Sequence, residues 1–161
     1  MGSQAAFIGM LEPILPDAYR LAFAMLRTSA DAEDAVQEAA LKAWKSQGRF
    51  KWGSPMRPWF LTIVANECRH QRRSRWWSVV RQPNANPSDE HADAHPSDIG
   101  LRRAIFRLPH SQRVAIVLRF YLDLSFDEVA QVLGVSTKAA KSRTYRALES
   151  LRLNPEVSPD E

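Results

Sequence analysis

The chain predicts an all-α fold of two small helical domains, and three observations carry that reading. Apolar residues recur at three- and four-residue spacing in both halves, with no alternating strand pattern longer than a few residues. Between Gln82 and Gly100 lie Asp89, Glu90, Asp93 and Asp98, three prolines (Pro83, Pro87, Pro96) and no Lys or Arg. Further on, Ser125-Phe126-Asp127-Glu128 is followed by Gly134 and Ser136, the punctuation of two short helices joined by a tight turn.

Prolines remove backbone donors and short polar residues bury little, so 82–100 reads as a flexible acidic linker. It divides the 161 residues into an N-terminal helical domain at 1–81 and a C-terminal helix-turn-helix domain at 101–153. The tail at 154–161 is acidic, holds two prolines and reads as frayed.

In the first domain, Tyr19, Leu21, Ala22, Met25 and Leu26 form an apolar stripe on a helix ending near Arg27. Ser29 or Asp31 is the expected cap of the next helix, whose apolar face is Ala32, Val36, Ala39, Ala40, Ala43 and Trp44. Its other face carries Glu33, Asp34, Gln37, Glu38 and Lys42. After an irregular run at Arg49–Arg57, a third helix is expected to start between Ser54 and Pro58 and to reach about Arg75. Arg69, Arg72, Arg73 and Trp76 fall at i, i+3, i+4 and i+7 and share one of its faces. Arginines track phosphates and aromatic rings stack on unpaired bases; the competing role for these residues is a helix end whose cations favour the dipole.

The second domain holds the clearest local signal. Ser125 and Glu128 make a capping box, Phe126, Val129, Ala130 and Leu133 face inward, Gly134 turns the chain, and Ser136 caps the next helix. Helix, Gly-containing turn, helix is the helix-turn-helix spacing. On a helical wheel the second of the pair gathers Ala140, Thr144, Ala147, Leu148 and Leu151 on one side. Lys138, Ser142 and Arg146 lie opposite, flanked by Lys141 and Tyr145. A packing face backed by a basic, hydroxyl-bearing face suits the major groove.

Composition excludes much else. Lys and Arg total 22 against 18 Asp and Glu, a formal charge of +4. A single cysteine, Cys68, rules out an internal disulfide or a multi-thiolate zinc site, and its expected place is a core beside Phe60, Leu61 and Val64. His91 and His95 sit in the linker, and no phosphate-cradling loop or nucleophile elbow is present. No catalytic residue, metal or cofactor is expected. The apolar start is broken by Glu12 and Asp17, and Val114–Leu118 is far short of the roughly 20 residues that span a bilayer. A reduced cytoplasmic protein without membrane insertion is the expectation.

At these residues the chain resembles a bacterial RNA polymerase sigma factor of the extracytoplasmic-function group. DAEDAVQEAALKAW (Asp31–Trp44) is similar to the stretch that docks on core polymerase, and RPWFLTIVANECRHQRR (Arg57–Arg73) to the helix that meets the minus-ten element. Leu108–Arg152 resembles the part that reads the minus-thirty-five element. The resemblance implies that Asp34, Gln37, Glu38 and Trp44 lie in or beside the core-polymerase surface, and that Lys51 and Trp52 capture a flipped base. It implies that Asn66, Arg69 and Arg73 follow the promoter strand, and that Lys138, Lys141, Ser142, Arg143 and Arg146 contact the upstream element. Core RNA polymerase, promoter DNA and an anti-sigma factor are the partners it implies. The family often has Gly-Thr-Val where Lys138-Ala139-Ala140 stands, so promoter specificity does not carry over, and Ala140 offers less volume beneath the recognition helix. The rival readings are a stand-alone helix-turn-helix regulator and a sigma mimic that sequesters an anti-sigma protein.

Overall fold

The computed structural model describes residues 2–81 and 96–154, with side chains for 3–76 and 99–154. Linker residues 82–95, with His91 and His95, and most of the tail (155–161) lie outside the described residues. The chain divides into two compact units between residues 89 and 90. The described residues form helices and no strand.

In the first unit, α1 (Gly2–Leu11) runs into a 3-10 turn at Glu12–Ile14 and then α2 (Leu15–Leu26). Pro13 and Pro16 sit in the opening turns of these last two elements, where a missing N–H costs nothing. Helix α1 has no counterpart among the elements expected from the sequence. GSQAAFIGML carries no apolar stripe: Phe7 is fully buried while Ile8 and Met10 stay exposed. Helix α2 ends where Arg27 turns left-handed at φ 70° and its N–H bonds Phe23 O.

Helix α3 spans Ser29–Lys45. Its cap is Thr28, not Ser29 or Asp31, because Thr28 is the residue with extended backbone and its hydroxyl accepts from the Asp31 N–H at 3.3 Å. The fully buried stripe is Ala32, Ala35, Ala39 and Ala43; Val36, Ala40 and Trp44, expected on that face, are only half-buried. Four methyl groups in a row let α3 lie close against its neighbours. Helix α4 (Met56–Arg81) runs past the expected end at Arg75. Pro58 is its third residue, still within the first turn, whose N–H groups lack intrahelical partners in any helix. Phe60, Leu61, Val64 and Cys68 complete the core against Leu21, Ala22 and Met25 of α2.

The second unit begins with α5 (Pro96–Arg107), so residues 96–100, read as linker, open a helix. Proline is well suited to a first helical position, and a Pro counted only as a linker marker conceals that. Helix α6 (His110–Ile116) continues as a π-helical segment, Val117–Tyr121, whose Leu122 N–H reaches back to Val117 O at 3.0 Å. Helix α7 (Phe126–Leu133) has both halves of the capping box, and Gly134 closes it at φ 67°. Helix α8 (Thr137–Arg152) is capped by Ser136. The buried residues of α7 are Val129, Ala130 and Val132, with Phe126 and Leu133 half-buried. In α8, Ala140, Thr144, Ala147 and Leu151 are buried, whereas Leu148, assigned to the packing face, lies at its edge and is exposed. The core closes around Ala140 completely.

Arg113 is the buried cation of this unit, 4% exposed. It donates to Leu108 O at 3.2 Å and Phe106 O at 3.4 Å, so it caps the C-terminal end of α5 from the first turns of α6. Arg113→Met should destabilise α5–α8 by about 2–3 kcal/mol, because those carbonyls lose a charged donor. Denaturant unfolding followed by helical circular dichroism checks this, and a loss below about 0.5 kcal/mol would contradict it.

Candidate nucleic-acid interface

Four surfaces stand out, three on the first unit and one on the second. The first lies along the seam of α3 and α4. Asp34, Gln37, Glu38 and Leu41 of α3 face Glu67, His70 and Gln71 of α4 around an open hollow of about 560 Å³. Lys42 bridges the seam by an ion pair with Glu67, and Arg75 bridges it again through Asp31. The structure thus brings Asp34, Gln37 and Glu38 together. Trp44 is not with them. It sits near the far end of α3, edge-on to Phe7 at 6.1 Å, in a cluster that includes Phe50 and Trp59.

That cluster is the floor of the second surface, the loop after α3. Phe50 is 3% exposed and packs on Trp59 at 5.0 Å. Ser54 N–H bonds Lys51 O at 3.0 Å, and Gly53 adopts φ 93°, the conformation that a type II turn requires at its third residue. Arg57 anchors the loop's exit by two hydrogen bonds to Asp17, at 3.0 and 2.8 Å. Lys51 is exposed on this turn, and Trp52 is half exposed, its ring edge-on to Phe50 at 5.7 Å. A large aromatic face is therefore presented to solvent from a rigid base.

The third surface is the opposite side of α4, where Arg69, Arg72, Arg73 and Trp76 surround an open hollow of about 340 Å³. Asn66 accepts from Arg69 Nη1 at 2.6 Å, and Trp76 is 61% exposed. Partial desolvation draws the Arg72 pKa downward.

The fourth surface is the outer face of α8. Lys138, Lys141, Tyr145 and Arg146 are exposed, and Ser142 and Arg143 half-buried. None of the four cations Lys138, Lys141, Arg143 and Arg146 forms an ion pair among the described residues. Lys141 Nζ lies over the Phe126 ring at 5.7 Å, and Tyr145 meets the same ring at 6.0 Å. The acid on this face, Glu149, is engaged by Arg152 at 2.9 Å, which holds its carboxyl below the usual range. Thr137 donates to Asp127 at 2.8 Å and fixes α8 against α7. A helix presenting several unneutralised cations, held rigidly as the second of a helix-turn-helix pair, has the form of a major-groove reader.

Comparison with known proteins gives these surfaces a family. Residues 4–78 match Sigma-70 region 2, and residues 99–151 match Sigma-70 region 4. The chain is 34% identical to the RNA polymerase sigma factor CarQ of Myxococcus xanthus, covering 94% of this chain and 90% of that one. It is 30% identical to the ECF RNA polymerase sigma factor SigL of Mycobacterium tuberculosis, covering 84% and 80%. Among solved structures, the sigma factor RpoE of Bartonella quintana, crystallised with the anti-sigma factor NepR, is similar at 29% identity and a TM-score of 0.82, over 96% and 99% of the two chains. The chain belongs to the extracytoplasmic-function sigma factors. It binds core RNA polymerase and promoter DNA to start transcription. Sigma factors are initiation factors rather than catalysts in themselves. No described helix of this sigma factor is long and apolar enough to cross a membrane.

Two features of the sigma factor escaped the sequence reading. Glu67 and Lys42 are 25 residues apart and on different helices, so no local spacing announces their pairing. Tyr145 and Trp76 stand beside basic residues in the sequence, and only their exposure on those faces, 58% and 61%, adds them to the surfaces.

Cys68 is fully buried beside this machinery, and burial, then the neighbouring Glu67 carboxylate, pushes its pKa from 9.0 up to about 12. A thiol whose pKa is raised on folding contributes stability that is complete below pH 9 and lost as pH climbs towards 12. Cys68→Ala should therefore flatten the alkaline limb of the stability profile, with a pH-independent loss of about 1 kcal/mol from the packing it gives up. In the native protein a thiol reagent at neutral pH should label Cys68 only as the first unit unfolds; rapid labelling without denaturant would contradict this.

Proposed function

We propose that the sigma factor divides its work by surface. Asp34, Gln37 and Glu38 meet a basic surface of core polymerase. Lys51 and Trp52 take an unstacked base of the minus-ten element, while Asn66, Arg69 and Arg73 follow the same strand. Lys138, Lys141, Ser142, Arg143 and Arg146 hold the minus-thirty-five element, with Lys138, Ser142 and Arg146 nearest the groove floor. Trp44 acts from beneath, as part of the aromatic floor under Trp52.

The observation that carries this reading is the segregation of charge. An acidic seam on α3, an arginine face on α4 and an unneutralised basic face on α8 are three separate surfaces. A stand-alone helix-turn-helix regulator needs only the last of them. Duplex opening would draw on binding free energy, with no cofactor and no reaction on this chain, which is not an enzyme. The domain limits read from the sequence, amended to start the second domain at Pro96, are part of the proposal, as is action in the cytoplasm beside the polymerase. Control by an anti-sigma factor is proposed because RpoE of Bartonella quintana, similar over nearly the whole chain, was solved with one.

Co-elution with bacterial core polymerase on a sizing column tests the reading directly. A stoichiometric complex competed away by another sigma factor is expected; duplex DNA binding without any polymerase complex would favour the stand-alone regulator. Lys141→Ala with Arg146→Ala should weaken upstream-element binding by about ten-fold or more and reduce the slope of log affinity against log salt by roughly 1–2. An unchanged slope in the double variant would remove those two residues from the DNA surface.

A further inference from the structure

Two acids compete for Lys42. Glu38 precedes it by four residues on α3, the order and spacing that favour an ion pair along one helix. The structure takes the other option, and Lys42 pairs with Glu67 across the seam. Glu67 is 5% exposed and is the buried acid among the described residues. A carboxylate removed from water requires a charged partner, whereas an exposed pair along a helix gains little because both ends stay hydrated. The Glu67 hydrogen bond is the largest of the influences that raise the Lys42 pKa, and Glu38 is the smallest.

The pair also stands between two hollows. On one side are Asp34, Gln37 and Glu38; on the other, in a hollow of about 460 Å³, are Lys45, Asn66 and Ile63. His70 borders both. With Lys42 drawn to the seam, Asp34 and Glu38 have no ion pair among the described residues.

We propose that Glu67 is a positioning residue for polymerase binding: it draws the Lys42 ammonium away from Glu38 and leaves the Asp34–Glu38 face negative for a basic surface of core polymerase. This rests on the polymerase reading of that face. Glu67 itself need not touch the polymerase. Without it, Lys42 falls back on Glu38 and neutralises the charge that the partner would meet.

The test is a titration of fluorescently labelled full-length sigma factor with core polymerase across a salt series. Glu67→Gln should weaken binding by roughly 3- to 10-fold and lower the salt slope, since one interfacial charge is masked. Adding Lys42→Met to it removes the competing ammonium and should return affinity to within about two-fold of the original. A double variant as weak as Glu67→Gln would mean that the pair merely pins two helices, and would overturn the proposal. So would a Glu67→Gln protein that binds normally. Should the single variant fail to fold, the double variant leaves no unpaired buried charge, and a large loss of affinity in it overturns the proposal by itself. Asp34→Asn with Glu38→Gln separates the two levels: unchanged polymerase affinity there would bring down the reading of the whole face, and the role of Glu67 with it.

Discussion

The close packing of α3 on α4 is the constraint on which the first unit depends. The buried face of α3 is Ala32, Ala35, Ala39 and Ala43, so α3 brings nothing larger than a methyl group to its packing contacts. Small residues bring backbones together, but they bury little area each, and burial scales with area. Polar bridges at both ends of the contact supplement them, Asp31 with Arg75 and Lys42 with Glu67. Because the helices lie close, the polar residues at the rim of α3 and α4 converge into one seam. The same packing turns Arg69, Arg72 and Arg73 to the opposite side of α4. One helix therefore separates an acidic surface from a basic one by nothing more than its own width, and the protein-facing and nucleic-acid-facing charges do not cancel.

The second unit solves a different problem. A recognition helix must expose cations without an acid nearby to quench them, and like charges along one face repel. Its stability therefore has to come from elsewhere. The capping box at Ser125 and Glu128, the Gly134 turn, the Ser136 cap and the Thr137–Asp127 bond all act at the ends of α7 and α8, leaving the outer face unused. Beneath them Arg119 lies over the Phe126 ring at 5.0 Å, and Lys141 over the same ring at 5.7 Å. A π face accepts a cation without neutralising it, so Lys141 is oriented yet keeps its full charge for a phosphate.

How much of this was legible in the sequence follows the range of the interactions. The helix-turn-helix was readable almost residue by residue, because caps and left-handed turns are set within four positions of chain. The exposed acids of α3 and the shared arginine face of α4 were readable for the same reason, from helical periodicity alone. Helix α1 was not, since its fully buried anchor, Phe7, gains its meaning from Trp44, Phe50 and Trp59 far along the chain. Trp44 shows the same limit: periodicity puts it on an apolar face but cannot say which aromatic partners wait there. Helix α5 was cut short because Pro96 and Asp98 fit both a linker and a helix start. Only contacts beyond Leu101, such as buried Ala104 and Ile105, decide between them.

The energetics of strand opening show why the surfaces have to act jointly. Taking a base out of a duplex costs a few kcal/mol, and stacking it on one aromatic ring returns about 1–3 kcal/mol. On the proposed assignment, Trp52 alone roughly balances the loss of one base and cannot open a longer stretch. Its fixed position matters more than its area: the ring rests on Phe50, and the turn is held by Gly53, so little conformational entropy is spent when a base arrives. The remaining free energy must come from phosphates neutralised by the arginines of α4 and the cations of α8, and from the polymerase contact along α3. Each of those terms weakens as salt rises, whereas stacking does not. Promoter opening by such a chain should then fail at high ionic strength before base capture does, because electrostatic binding carries the strand to a ring that is already in place.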